Sequence, residues 1–325
     1  MKYKILNTEP EHYSPWAKKE LRKIGILKEK VVSQKELLRI IPNFDILLIG
    51  WGLYIKKEVL ERAKNLKVLA SATTNERHID LETAKKKKIK VFTLKGQRRL
   101  LAKVPSTSEL AFGLLLALAR FIPTSFQEVK KYRWDRDKFK GHELFEKTMG
   151  ILGYGRLGKI MASQAKGFGM KVLAYDPYIA KKEIRKDGVV PVAFNRLVRE
   201  SDVLSLHLTL TPESKHIINR SVFKKMKKTA FLINTARGEV INEKDLLWAL
   251  KTGKIAGAGL DFLEGEWSFR EKFPRNNLIE YAKSHNNLII TPHLGGMTQE
   301  AVFKVREFLT KKIIKWFSYV DRLSL

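Results

Sequence analysis

Residues 150–176, GILGYGRLGKIMASQAKGFGMKVLAYD, decide the fold of this chain. A short apolar run at 149–152 enters three glycines spaced Gly153-x-Gly155-x-x-Gly158. A helical pattern follows over 157–166, and a second strand-like run, 171–175, ends at Asp176. Alone, a G-x-G-x-x-G is a weak signal. The strand before it, the helix it opens and an acid about 20 residues on are the context the motif requires. Gly153 permits the tight turn, Gly155 lets a pyrophosphate approach the backbone, and Gly158 lets the helix pack closely on the strand. Arg156 and Leu157 stand in the first helical turn, whose unpaired N–H groups and positive dipole end face the phosphates. At the end of the second strand the Asp176 carboxylate accepts hydrogen bonds from ribose hydroxyls and repels a 2′-phosphate, which favours NAD over NADP. Lys181 and Lys182, just beyond, weaken that preference. The pattern is that of a Rossmann dinucleotide-binding unit with NAD as cofactor.

The same alternation extends in both directions. Upstream, strand-like runs at 3–6, 46–49, 67–70 and 90–92 are separated by helical patterns at 16–24, 33–40, 56–63 and 81–87. Ser33 followed by Glu36 reads as a capping box opening one of these helices. A long apolar helix is expected over 107–120, and a second over 126–132 after a break at Pro123. Downstream strands are expected at 203–207, 230–233, 257–260 and 288–291, and an amphipathic helix at 298–317 closes the chain. Nearly continuous apolar strands separated by helices imply parallel sheets covered on both faces. A chain of 325 residues exceeds the size at which one core stops growing. The expected class is therefore α/β with two doubly wound parallel-sheet domains. A Rossmann NAD domain (105–296) is inserted in a flavodoxin-like substrate domain (1–104 and 297–325).

Composition narrows the function classes. The chain has no cysteine, which removes disulfides, thiolate metal sites and cysteine nucleophiles. No histidine or acid spacing suggests a metal site. The N-terminal MKYKILNTEPEHY is too weakly apolar for a signal peptide, and the most apolar stretch, 110–119, is too short for a membrane span. A cytoplasmic protein without a membrane partner is expected. The net charge of +29 raises the question of a polyanion. The lysines spread along the chain in short runs such as 85–88 and 224–228, and aromatics do not interleave with them as in a single-strand groove. A solvated basic surface with no nucleic-acid partner is the expectation.

Three further segments follow expected strands: Asn234-Thr235-Ala236-Arg237-Gly238-Glu239, Gly259-Leu260-Asp261-Phe262-Leu263-Glu264-Gly265-Glu266, and Thr291-Pro292-His293-Leu294-Gly295-Gly296. Ligands of doubly wound sheets bind beyond the carboxyl ends of strands, so an arginine, a glutamate and a histidine converge on one crevice. With SELAFGLLLALAR (108–120) and FGMKVLAYDP (168–177), these motifs resemble the D-isomer-specific 2-hydroxyacid dehydrogenases, phosphoglycerate dehydrogenase-like group. The resemblance is strongest over 106–301. LKVLASATTNERHIDLE (66–82) is more loosely similar to the family's first domain.

The resemblance implies roles. Arg237 matches the arginine that binds the substrate carboxylate, for which a planar guanidinium offers two parallel hydrogen bonds. His293 matches the acid/base histidine that exchanges the hydroxyl proton. Glu266, five residues after Asp261, matches the glutamate that orients it; Glu264 is the rival. Thr235, Ala236 and Asp261 match positions at the nicotinamide end, as do Gly295 and Gly296 in their loop. His207 is expected to flank the cofactor. Thr73, Thr74 and Asn75 match the substrate-carboxylate loop but lack its glycines. Lys95, Arg98 and Arg99 face either an acidic substrate or solvent. Two departures stand out: Thr209 and Trp267 each occupy a place where the family has proline.

The implied reaction is NAD-dependent interconversion of a D-2-hydroxy acid and its 2-oxo acid, in a cleft between two domains, by an enzyme that dimerises through its nucleotide domain. The alternative is an NAD-sensing binding scaffold like the C-terminal-binding-protein corepressors, which keep the fold.

Overall fold

The structure, a computed structural model, describes residues 3–50, 52–266 and 274–323, the last four of these by backbone alone. It divides into two compact units, one of residues 1–104 with 298–325 and one of 105–297. Met297 falls with the second unit, one residue past the expected boundary.

The first unit holds five parallel strands: β1 (Tyr3–Asn7), β2 (Gly25–Glu29), β3 (Ile46–Ile49), β4 (Val68–Ser71) and β5 (Lys90–Phe92). Their order, β2-β1-β3-β4-β5, is the flavodoxin-like one. Alternate residues serve opposite faces. Leu6, Leu47, Ile49 and Leu69 pack one layer of helices, while Ile5, Ile46, Leu48, Val68 and Ala70 pack the other, which includes the helix Gln299–Leu323. That closing helix is pinned to the segment just after β1 by a buried ion pair. Arg306 donates from Nε and Nη2 to the two Glu9 oxygens at 2.8 and 2.7 Å.

The sequence reading has no counterpart for β2. Its GILKE sequence is buried only at Gly25, because it lies at the sheet edge with one flank in solvent. A Cβ at Gly25 would sit 2.1 Å from the Tyr3 carbonyl oxygen, so only glycine lets the strand begin there.

The second unit holds seven parallel strands: β6 (Thr148–Leu152), β7 (Lys171–Tyr175), β8 (Val190–Pro191), β9 (Val203–Leu206), β10 (Phe231–Asn234), β11 (Gly257–Leu260) and β12 (Leu288–Ile290). The order β12-β11-β10-β9-β6-β7-β8 reverses direction between β6 and β9, which is the ligand-binding switch point of a doubly wound sheet. Each buried leucine or isoleucine along these strands is worth about 1.5–3 kcal/mol.

The helix Ser106–Ala119 packs one sheet face through Ala111, Leu115 and Leu118. The stretch Arg98–Ala119 is apolar and long enough by count to cross a bilayer, yet Arg98–Leu101 and Ser106–Ala119 are separate helices. The next helix runs over Ile122–Val129, earlier than the 126–132 expected. Pro123 opens it rather than breaking what precedes it, since proline is tolerated in a first turn. The break lies at Phe121, with φ of +52°.

Candidate active site

At the switch point the glycine fingerprint forms the turn from β6 into the helix Arg156–Gly167. Gly153 has φ of +94°, and a Cβ there would lie 2.7 Å from the His207 carbonyl oxygen. A Cβ at Gly158 would meet the Gly153 carbonyl oxygen at 2.2 Å, so the helix presses directly on the turn. Gly155, by contrast, faces open space. A side chain there would fill room that the fold keeps clear above the helix N-terminus. Arg156 stands at the first helical position, half-buried, with burial lowering its guanidinium pKa. Leu157 accepts a hydrogen bond at its carbonyl from Ser108 Oγ, 3.0 Å.

At the end of β7, Asp176 accepts hydrogen bonds from the amides of Tyr154 and Tyr178, both at 2.8 Å. The carboxylate is thereby fixed beside the fingerprint turn with lone pairs to spare. His207, just past β9, pairs its Nε2 with Ser205 Oγ at 2.9 Å. Burial pushes its imidazole pKa down to about 4, so the ring is neutral. Its Nδ1 is buried and has no hydrogen-bond partner in the protein, and the same holds for Thr235 Oγ1 at the end of β10. Buried polar atoms without partners are rare and costly. Two such atoms beyond adjacent central strands, with the cleared space at Gly155, fit a dinucleotide that bonds them.

The loops that carry Arg237, Glu266 and His293 leave β10, β11 and β12, which are neighbours in the sheet. His293 Nδ1 lies 2.9 Å from Glu266 Oε1. The distance is that of an ion pair, while the alignment falls short of a hydrogen bond, since Oε1 is buried and accepts none. Glu266 is nearly buried and the imidazole about one-third exposed. The rival glutamate goes elsewhere: Glu264 pairs with His216 at 3.1 Å. Arg237, half-buried, donates from Nη1 to the Ala236 carbonyl oxygen at 2.5 Å.

One ring lies against both the imidazole and the guanidinium. Phe262 lies with its centroid 4.1 Å from the His293 ring and 5.2 Å from Arg237 Cζ. The sequence reading missed Phe262, which reads there as one more apolar residue ending a strand.

The backbone around these side chains is tightly held. A Cβ at Gly238 would lie 2.2 Å from the Leu263 carbonyl carbon, so the arginine loop rests on the backbone of the glutamate loop. Glu243 grips that loop too, accepting from the Glu264 amide at 2.7 Å and from Asn276 Nδ2 at 3.2 Å. Burial raises the Glu243 carboxyl pKa. Asp261, fully buried, organises the histidine loop. It accepts from Thr291 Oγ1 at 2.6 Å, Leu294 N at 2.7 Å and Gly295 N at 2.8 Å. Burial raises its carboxyl pKa although these bonds pull the other way. Gly295 sits where a Cβ would crowd Thr107 and Asp261, whereas Gly296 faces open space. Trp267 and the rest of 267–273 lie outside the described residues.

In the first unit, Thr73 Oγ1 pairs with Ser71 Oγ at 3.0 Å and donates to the Asn75 carbonyl oxygen at 2.9 Å. Thr73, Thr74 and Asn75 thus lie in a bend beyond β4 that Thr73 closes onto Asn75. Lys95 is held by Glu76 at 2.7 Å. Arg98 and Arg99 open the short helix Arg98–Leu101.

Residues 112–295 match the family model described as D-isomer specific 2-hydroxyacid dehydrogenase, NAD binding domain. The chain is 39% identical over 300 residues to a D-3-phosphoglycerate dehydrogenase of Methanocaldococcus jannaschii, covering 92% of this chain and 54% of that one. It thus spans about half the length of that relative. It is 38% identical to a hydroxypyruvate reductase of Thermotoga maritima, covering 87% of this chain and 88% of the reductase. Among solved structures it is similar to the D-lactate dehydrogenase of Aquifex aeolicus complexed with NAD and lactic acid. That likeness has a TM-score of 0.78 and 28% identity, and covers 99% of this chain and 97% of that one. All three are oxidoreductases by name, so the binding-scaffold alternative gains no support from them. With its fingerprint turn and its three converging loops, the chain belongs to the D-isomer-specific 2-hydroxyacid dehydrogenase family.

Proposed function

We propose that this chain is an NAD-dependent oxidoreductase that interconverts a D-2-hydroxy acid and its 2-oxo acid. The observation that carries the reading is the His293–Glu266 pair at 2.9 Å with Arg237 against the same aromatic ring, beyond three adjacent strands of an NAD-binding domain. When bound, NAD supplies the hydride acceptor, or as NADH the donor. Gly153, Gly155, Arg156, Leu157, Gly158 and Asp176 hold its adenosine and phosphate portions. His207, Thr235, Ala236, Gly295 and Gly296 line it further along, and Asp261 holds the loop at the nicotinamide end.

The chain's own groups do the rest. Arg237 binds the substrate carboxylate through two parallel hydrogen bonds and polarises the 2-oxo group. With Nδ1 turned to Glu266, the proton at stake on His293 is that of Nε2. In oxidation it comes from the 2-hydroxyl; in reduction it returns to the carbonyl oxygen. Glu266, nearly buried beside Nδ1, fixes the ring and stabilises the imidazolium when it forms. Thr73, Thr74 and Asn75 are assigned to the substrate carboxylate. Their support is a place at the carboxyl end of β4, where open parallel sheets bind ligands.

The test is NADH oxidation with glyoxylate, pyruvate, hydroxypyruvate and phosphohydroxypyruvate, compared as kcat/KM. Turnover lost in Arg237→Ala and His293→Ala, with NADH binding kept, supports the reading. NADH binding by the wild type without turnover of any 2-oxo acid refutes it.

We further propose a cytoplasmic homodimer formed through the nucleotide unit. Its support is the apolar surface at Ile122, Phe126, Val129, Tyr132 and Trp134, the last two 100% and 87% exposed. Exposed apolar patches of this kind mark association surfaces. Light scattering on Phe126→Asp with Trp134→Ser is expected to report a monomer, against a dimer for the wild type.

A further inference from the structure

We infer that Phe262 is a positioning residue that holds the substrate-binding arginine and the acid/base histidine in one fixed arrangement. This rests on the roles proposed above for Arg237 and His293. The ring contacts both groups, 4.1 Å from the imidazole centroid at an interplanar angle of 48°, and 5.2 Å from the guanidinium carbon. It is also buried on a well-bonded segment of backbone. Phe262 is 5% exposed and stands between Asp261 and Leu263, which are 0% and 6% exposed. The Asp261 amide donates to the Asn234 carbonyl oxygen at 2.9 Å, and its carboxylate is locked by the histidine loop.

The chemistry follows from the ring's quadrupole. A guanidinium is permanently charged and stacks on an aromatic face, which fixes the plane in which its paired N–H groups point. Imidazole is uncharged for half of the catalytic cycle and cationic for the other half. When His293 carries the proton, it has the Glu266 carboxylate at Nδ1 and the Phe262 ring beside it. The ring therefore sets the distance between the carboxylate-binding and proton-transferring groups and the plane in which each one points. A leucine is apolar but smaller, and supplies neither effect.

Phe262→Leu and Phe262→Tyr, each compared with the wild type, test this. Phe262→Leu is expected to lower kcat for reduction about ten-fold and raise KM for the 2-oxo acid a few-fold, on the scale of one lost cation–π contact and one lost ring–ring contact. NADH affinity is expected to stay near that of the wild type, while the thermal midpoint falls by a few degrees. Phe262→Tyr, which keeps the ring, is expected to recover most of kcat. Wild-type kinetics in Phe262→Leu overturn the inference, and so does a loss of kcat that tracks a loss of NADH binding. Equal impairment of the leucine and tyrosine variants overturns it as well. If the wild type turns over no 2-oxo acid, the proposed function falls and takes this inference with it, whereas active wild type with an unaffected leucine variant removes only the role of Phe262.

Discussion

Adding one methyl group at Gly238 is expected to disable catalysis while leaving cofactor binding intact. In Gly238→Ala the new Cβ would lie 2.2 Å from the Leu263 carbonyl carbon and 2.4 Å from both the Leu263 oxygen and the Glu264 nitrogen. Ordinary carbon contacts lie at about 3.5–4.0 Å, so the two loops must part by about 1.5 Å. Both sides of the clash are buried backbone, with no flexible chain end to yield. One loop carries Arg237, and the other carries Glu266, 2.9 Å from His293. A shift of about 1.5 Å takes the carboxylate beyond ion-pair distance of the imidazole. Misplacements of about 1 Å cost roughly 10² in rate, and overpacking costs about 1–3 kcal/mol. Steady-state kinetics with NADH and the best 2-oxo acid are expected to show kcat/KM lowered by about 100-fold. Calorimetry is expected to show a midpoint lower by roughly 2–10 °C. The fingerprint turn is untouched, so NADH binding followed by fluorescence is expected to persist. A variant with wild-type kcat/KM refutes the reasoning, as does one that loses NADH binding in step with activity.

Gly155→Ala places its methyl in open space at an extended backbone, so its unfolding in the absence of NAD is expected to match the wild type. The same methyl fills the phosphate approach, and titration is expected to show NAD affinity weakened about ten-fold or more. For His207, burial lowers the folded pKa from 6.5 to about 4, so the unfolded chain binds the extra proton between those values. Stability is full above pH 6.5 and falls as pH drops toward 4, by up to 2.5 units × 1.36, or about 3 kcal/mol. Thermal midpoints of His207→Asn against pH are expected to flatten over that window, and an unchanged slope would count against a buried neutral imidazole. In the first unit, Glu9→Gln strands the buried Arg306 charge, and urea unfolding is expected to report a loss of about 3–5 kcal/mol.

What was legible in the sequence was what depends on near neighbours in the chain. Each fingerprint glycine answers a local need, a positive φ at Gly153 or a helix pressed on a turn at Gly158. The sheet interiors were legible for the same reason, since apolar runs such as Ile46–Ile49 are buried on both faces. The edge strand β2 was not, because only its pairing with β1 makes GILKE a strand. Nor does spacing by itself decide between Glu264 and Glu266. Two residues apart in one loop, they meet His216 and His293, which come from different elements. Phe262 is the extreme case: burial alone explains it until the β10 and β12 loops are brought beside it.

Asp261 separates membership of a motif from role in the site. Sequence resemblance groups it with Thr235 and His207 along the cofactor. In the fold it accepts three hydrogen bonds from the loop that carries His293, using most of the roughly four lone-pair sites of a carboxylate. That loop holds His293 at φ of +57°, an uncommon backbone for a residue other than glycine, which costs on the order of 1–3 kcal/mol unless its surroundings enforce it. The Asp261 carbonyl also accepts the His293 amide at 3.1 Å, so one buried acid holds the strained residue from both its backbone and its side chain. Thr235 Oγ1 and His207 Nδ1 have the opposite character, being buried with hydrogen-bonding capacity unspent. A ligand can be held only by capacity the protein has not already used. On that ground we assign Thr235 and His207 to the proposed cofactor contact, and Asp261 to holding His293 in place.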